Sequence, residues 1–292
     1  MSTTVTPTGA TPATAAAEQR PVRSRTGLAV LRSVGRALLT MAFVLAVVIG
    51  LWVAGLALWD VDDFVGKGPA DVWAYLVTDP DAAENRDGML GLLLVTLEDA
   101  ATGFVVGLVA AVALALLIVR FRAVESAVMP VAMVLRSVPL VALAPIIILL
   151  AGRGFLTVAF ISGVVVLFPA LVTIVFGLRS VSPQLRDVVT VYGGSEGTVL
   201  RRAALPSALP SLFAAIRISV PGAITGALLA EWLATGQGMG SAIVSASRNG
   251  RINETWSLVV IVTVASLVLY LVAQLVESVV LARYGDDAGR GR

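Results

Sequence analysis

Six blocks of this chain carry few or no charged residues, at about 37 to 59, 96 to 119, 126 to 150, 155 to 177, 211 to 233 and 257 to 281. A helix rises about 1.5 Å per residue, so each block is long enough to cross about 30 Å of hydrocarbon. The pattern predicts an all-α integral membrane protein with six transmembrane helices. It excludes a membrane β-barrel, which needs alternating segments of about 10 residues. Residues 1–26 are rich in Ser, Thr, Ala and Pro and show no apolar periodicity, so they read as a disordered tail. The run from Ala37 to Trp59 is longer than the apolar core of a secretory signal, about 7 to 15 residues, and is expected to be an uncleaved first span. The membrane domain is placed at 27–285, with a short tail at 286–292.

Charge placement orients these spans, because Lys and Arg collect on the cytoplasmic side. With the N-terminus inside, fourteen of the 21 basic residues fall in cytoplasmic segments and five outside. The remaining two, Arg136 and Arg217, lie within spans. Both termini are therefore expected in the cytoplasm, in a multi-pass protein of the plasma membrane. The loop between the first two spans holds Asp60, Asp62, Asp63, Asp71, Asp79, Asp81, Glu84 and Asp87 and is expected outside.

Composition narrows the chemistry. The chain of 292 residues has 14% charged and 58% hydrophobic residues and a mean hydropathy of +0.92, against roughly 25% charged in soluble proteins. It has no His and no Cys. Metal sites built on imidazole or thiolate, cysteine nucleophiles and Ser-His-Asp triads are excluded. The single lysine, in Gly66-Lys67-Gly68-Pro69, lacks the spacing of a phosphate-binding loop, so this chain has no ATP site of its own.

Two loops are long. The external one, about 234 to 256, contains Gly236, Gly238 and Gly240 and has room for a short re-entrant or interfacial segment. The cytoplasmic one, about 178 to 210, carries helix signals. Ser182-Pro183 reads as an N-cap followed by proline, and that helix should stop at Gly193-Gly194. Ser195 can cap a second short helix that ends before Pro206.

Within this loop stands Asp187-Val188-Val189, with Gly193, then nine residues, then Ala203-Ala204-Leu205-Pro206. The stretch resembles the signature of permease subunits of ATP-binding-cassette importers, commonly written E-A-A, three residues, G, nine residues, I, any residue, L-P. Gly193, Leu205 and Pro206 match, Asp187 replaces the Glu, and Val188, Val189 and Ala203 depart from the pattern. Arg136-Ser137-Val138-Pro139, Ala144-Pro145, Pro169, Glu231 and Gly238-Met239-Gly240 extend the resemblance over roughly residues 35 to 283, toward the branch that serves nitrate, sulfonate and taurine importers. Thiamine-precursor and riboflavin permeases are close relatives of that branch.

The resemblance implies the type I importer permease fold, in which a core of five helices lines the path and two permease subunits meet at a central cavity. It implies that Asp187, Gly193, Leu205 and Pro206 form the segment that docks into the ATPase. Partners then are a cytoplasmic ATPase dimer that carries ATP and Mg, an external solute-binding protein, and a second permease, for which a second copy is the simplest closed arrangement. No cofactor on this chain and no nucleic acid are expected.

Two charged residues in spans invite a role in the path. Arg136, placed near the middle of the third span, either presents a cation to an anionic solute or pairs with an acid or with carbonyls freed by Pro139. Glu231, near the outer end of the fifth span, is its partner, an external gate residue, or a carboxylate solvated at the interface. Small residues recur at Gly103, Gly107, Ala111 and Ala115 and at Gly222, Gly226 and Ala230, a stripe that lets helices approach closely. Pro221 should bend the fifth helix.

Two other classes fit less well. A gradient-driven transporter would favour acids deep in the membrane, yet Glu98, Asp99, Glu125 and Glu277 all lie toward span ends. A membrane enzyme would need a general base or a metal site that this composition does not supply.

Overall fold

The computed structural model describes residues 25–284, except for the side chains of 25–38, 40, 41, 133, 135, 136 and 282–284. All regular structure among the described residues is helical. Of the expected tails at 1–26 and 286–292, residues 1–24 and 286–292 lie outside the described residues, while Arg25 and Thr26 open a helix instead.

Two compact units divide the chain at residue 60. The first contains helix α1 (Arg25–Leu58), which begins well before the expected span and includes the apolar stretch Ala42–Leu58. Within it Leu39, Phe43, Leu51 and Leu58 are exposed, as expected of a helix that lipid covers.

The second unit begins with α2 (Pro69–Trp73), which runs into a π turn, Ala74–Thr78. Carbonyls of that turn are satisfied from the next helix: the Asn85 amide donates to the Tyr75 oxygen at 3.2 Å, and the Arg86 guanidinium donates to the Leu76 oxygen at 2.5 Å. That next helix, α3 (Ala82–Arg120), starts fourteen residues before its expected apolar block, so a stretch of the expected external loop is helical.

The third expected span, 126–150, is not one helix. It divides into α4 (Arg122–Ser137) and α5 (Leu140–Ala151). Proline disfavours helical dihedrals in the residue before it, so Val138-Pro139 interrupts the run, with Pro139 itself at ψ 116°. Arg136 consequently sits in the last turn of α4, next to the break between the two helices.

Helix α6 (Phe155–Arg179) follows, and after the loop at 180–208 comes α10 (Leu209–Ala230), extended by a π turn, Glu231–Thr235. The next loop forms α11 (Gly238–Arg248), and α12 (Ile252–Tyr284) ends the described chain. Among the described residues four helical stretches are long and apolar enough to cross a membrane: Ala82–Arg120, Phe155–Arg179, Leu209–Thr235 and Ile252–Leu281.

The core forms where α6 packs between α3 and α10. The small-residue stripe makes this possible. Gly103, Gly107, Ala111 and Ala115 of α3 are all buried, as are Gly226 and Ala230, whereas Gly222 is only half-buried. A side chain on Gly107 would meet the Gly163 carbonyl oxygen of α6 at 2.5 Å, so the two backbones are in direct contact. At the same level the buried Ser162 hydroxyl donates to the Ala223 carbonyl at 3.0 Å, joining α6 to α10. Such a bond contributes about 1 kcal/mol net and satisfies the buried Ser162 hydroxyl. Helix α10 continues through Pro221, with Thr225 donating back to the Pro221 carbonyl at 2.9 Å.

Candidate functional site

The loop at 178–210 folds as its sequence dictates locally. Ser182 Oγ accepts from the Leu185 amide at 3.3 Å and caps α7 (Pro183–Val191), with Pro183 in the first turn where its missing N–H has no cost. The helix stops at Gly193, which has φ +77°, a conformation glycine adopts without the penalty of a Cβ. The Gly193 amide donates to the Thr190 carbonyl and the Gly194 amide to the Val189 carbonyl, both at 2.9 Å, which satisfies two carbonyls of the last turn. Ser195 then caps α8 (Glu196–Val199) by accepting from the Thr198 amide at 3.4 Å.

The second helix does not end before Pro206. It continues through a π turn, Leu200–Ala204, into α9 (Leu205–Ser207). The wider turn places Pro206 in the first turn of the segment that follows, where it costs little, and the break falls at Ala208 instead.

The two halves of the loop differ in burial. Val199, Ala203, Ala204 and Ala208 are buried, and Ala204 and Ala208 share a cluster with Ala111, Leu178 and Ala215, so the second half is packed onto the ends of α3, α6 and α10. Helix α7 buries nothing. Val191 is 83% and Tyr192 87% exposed, and Leu185 and Val188 are also exposed. Asp187, Gly193, Leu205 and Pro206 are all accessible on this one loop. An ion pair between Arg186 and Glu196, at 2.9 Å, bridges the glycine turn and ties α7 to α8. Beside it Arg179, at the end of α6, pairs with Glu125 at 2.7 Å, and this bond holds the Glu125 carboxyl below the usual carboxylate range.

Sequence reasoning singled out neither the exposed Val191-Tyr192 tip nor these two pairs. Opposite charges flanking a Gly-Gly stop, as in Arg186 and Glu196, are the signal that would have found one of them.

At the other end of the unit Glu231 is fully buried, which overturns solvation at the interface. Its Oε2 accepts from the Gly240 amide at 2.7 Å, in the first turn of α11, where free amides and the positive helix end favour a carboxyl group. Thr96 Oγ1 of α3 accepts from the neighbouring Met239 amide at 2.9 Å. Gly238 has φ +74° and abuts the Glu231 carboxyl, so a side chain there would meet both a strained backbone and an occupied space. The expected short segment in this loop is thus α11, pinned by Glu231 and Thr96.

The side chain of Arg136 lies outside the described residues. Two residues further on, at the α4–α5 break, Val138, Pro139, Leu140, Phe160, Phe168 and Pro169 are among the residues that line an apolar cavity of about 380 Å³. The other basic residue placed within a span, Arg217 of α10, pairs with Glu277 of α12 at 3.2 Å and lies 5.9 Å from the Tyr270 ring. Among the described residues no group of three or more carboxylates, His or Cys is placed to hold a metal ion.

Residues 103–285 match the model of a family described as binding-protein-dependent transport system inner membrane component. A probable ABC transporter permease protein of Haemophilus influenzae is 24% identical over 220 residues, covering 74% of this chain and 88% of that protein. The riboflavin transport system permease protein RibX of Chloroflexus aurantiacus is 30% identical over 89 residues, covering 30% of this chain and 33% of that protein. An exposed helical knob on a packed base, carried by apolar helices of membrane-spanning length, is consistent with these matches. The chain belongs to the family of binding-protein-dependent transport system inner membrane components, the permease subunits of ABC-type transporters.

Proposed function

We propose that this permease forms the path for a small solute in an importer whose cytoplasmic ATPases drive alternating inward and outward openings. The observation that carries this reading is the loop tip: Val191 and Tyr192 stand exposed at a glycine turn, while the helical stretch after the turn anchors Val199, Ala203 and Ala204 in buried positions. An apolar tip on a rigid base is suited to a groove on a partner, and Asp187, Gly193, Leu205 and Pro206 would carry the docking. The basic residues favour this loop and both termini in the cytoplasm, with six membrane crossings, the third made by α4 and α5 together. An external binding protein delivers the solute, and a second copy of the chain completes the cavity. ATP and Mg belong to the ATPase, and this chain hydrolyses nothing.

For the solute, an anion of the sulfonate, nitrate or taurine kind fits a path with Arg136 beside it. A second reading, a flavin or a thiamine-precursor pyrimidine, is favoured by the partial likeness to RibX and by the apolar lining of the cavity at the α4–α5 break.

The test is mild solubilisation from the native membrane, with the proteins that accompany the chain identified by mass spectrometry. Recovery of an ATPase with a phosphate-binding loop, lost on substitution of Gly193, is expected. A chain that purifies alone and moves solute in sealed vesicles without ATP would overturn the reading.

A further inference from the structure

A second cavity, of about 610 Å³, opens where α3 ends, α4 begins, α6 ends and the loop helices α7 and α8 pass. Four arginines from four of these elements line it: Arg120, Arg122, Arg179 and Arg186. Glu125 and Glu196 line it as well, each paired to one arginine, Arg179 and Arg186 respectively. Arg120 and Arg122 have no carboxylate within ion-pair distance among the described residues. Arg120 lies 5.1 Å from the Phe121 ring, a contact that leaves its N–H groups free to donate. Arg122 occupies the first turn of α4, the positive end of that helix, where a cation is disfavoured unless an anion accompanies it. Glu125, in that same first turn, acts on Arg122 as well as on Arg179, so the cleft holds four positive charges against two negative ones.

The position of the cleft narrows its occupant. The apolar runs of α3 and α6 end at Arg120 and Arg179, so the cleft lies at the boundary between hydrocarbon and water. Arginine forks bind phosphoryl oxygens in two-pronged fashion, and a phosphate is the anion most abundant at such a boundary.

We infer that the cleft bounded by Arg120, Arg122, Arg179 and Arg186 is a binding site for a phosphoryl anion, either the headgroup of an anionic lipid or an aqueous phosphate. Occupancy would bridge the ends of α3 and α6 to α7 and α8, so it would stiffen the base of the docking loop.

The test uses the full chain in nanodiscs. In discs of phosphatidylcholine with added phosphatidylglycerol, native mass spectrometry reads the lipid each chain retains. Wild type should retain phosphatidylglycerol, R120Q/R122Q should lose about tenfold of that retention, and R201Q/R202Q, whose arginines are exposed on the same loop outside the cleft, should keep it. In discs of phosphatidylcholine alone, inorganic phosphate should raise the unfolding temperature of wild type but not of R120Q/R122Q if the aqueous anion is the occupant. A response in either arm, specific to the Arg120–Arg122 pair, supports the site and identifies the source. No response in either arm, or equal loss in both double variants, overturns it. Helix content by circular dichroism checks folding. Should the double variant not insert, R122Q alone is expected to lose about threefold of the retention, and undiminished retention would equally overturn the site.

Discussion

Gly226 of α10 lies so close to Ser162 of α6 that a methyl group on the glycine would stand 2.6 Å from the serine Cα. The obstacle is backbone, which cannot swing aside, and Gly103 of α3 crowds the same serine from its other side. Even G226A must push α6 and α10 away from each other and stretch the Ser162–Ala223 bond. The expected cost is about 1 to 3 kcal/mol, read as a lower unfolding temperature in detergent. An unchanged transition would show that α6 and α10 do not rely on this contact.

Gly193 presents the opposite situation. Nothing lies within 4 Å of where its side chain would be, so only its φ of +77° resists substitution. G193V should cost about 1 to 2 kcal/mol, confined to the loop. Membrane insertion should remain normal while solute uptake falls and ATP hydrolysis no longer tracks it. Normal uptake in vesicles would remove the glycine turn from the coupling role.

The Arg186–Glu196 pair is exposed, and its contribution to stability should be at most about 1 kcal/mol. Its effect should lie in holding the angle between α7 and α8. R186E is expected to leave the unfolding temperature nearly unchanged yet reduce uptake, and R186E/E196R should recover most of it. Failure of the double reversal would mean that Arg186 acts on something other than Glu196.

Removing the buried Glu231 carboxyl should release α11. E231Q keeps an oxygen able to accept from the Gly240 amide, so it should be tolerated, while E231A leaves that amide buried and unpaired at a cost of about 1 to 3 kcal/mol. Limited proteolysis between residues 236 and 250 should rise in E231A alone.

For Arg136 the expectation concerns cargo. R136Q should impair uptake of taurine or another sulfonate, and unchanged uptake would take the residue out of the path. Uptake of riboflavin by the wild-type chain, insensitive to R136Q, would favour the second solute reading.

The features legible in the sequence are those decided locally. The ends of α6, α10 and α12 follow the apolar runs within a few residues, and both serine caps and the glycine stop fall where residue type placed them. Hydropathy alone missed the early start of α3, because Glu84, Arg86 and Asp87 lower the average without preventing a helix. It merged α4 and α5, because a window sums across a proline break without seeing it. The placement of Glu231 was hidden for another reason: its partner amide at Gly240 is brought to it only when the chain turns back through Gly236 and Gly238. Pairs such as Arg217 with Glu277, sixty positions apart, depend wholly on how α10 and α12 pack.

Ala208 acquires a different meaning once the continuity of the loop is considered. From Glu196 to Ser207 the chain is helical throughout, an arm of about 18 Å at 1.5 Å per residue, and Ala208 is the one non-helical residue between that arm and α10. A fulcrum at Ala208 would convert a sideways displacement of the tip by about 3 Å into a rotation of the arm by about 10°, from the same arm length. Because Val199, Ala203 and Ala204 are embedded along its length, the arm cannot turn in place. A displaced arm would then press on the end of α6 and pull on α10 through Ala208, so more than one span would feel it.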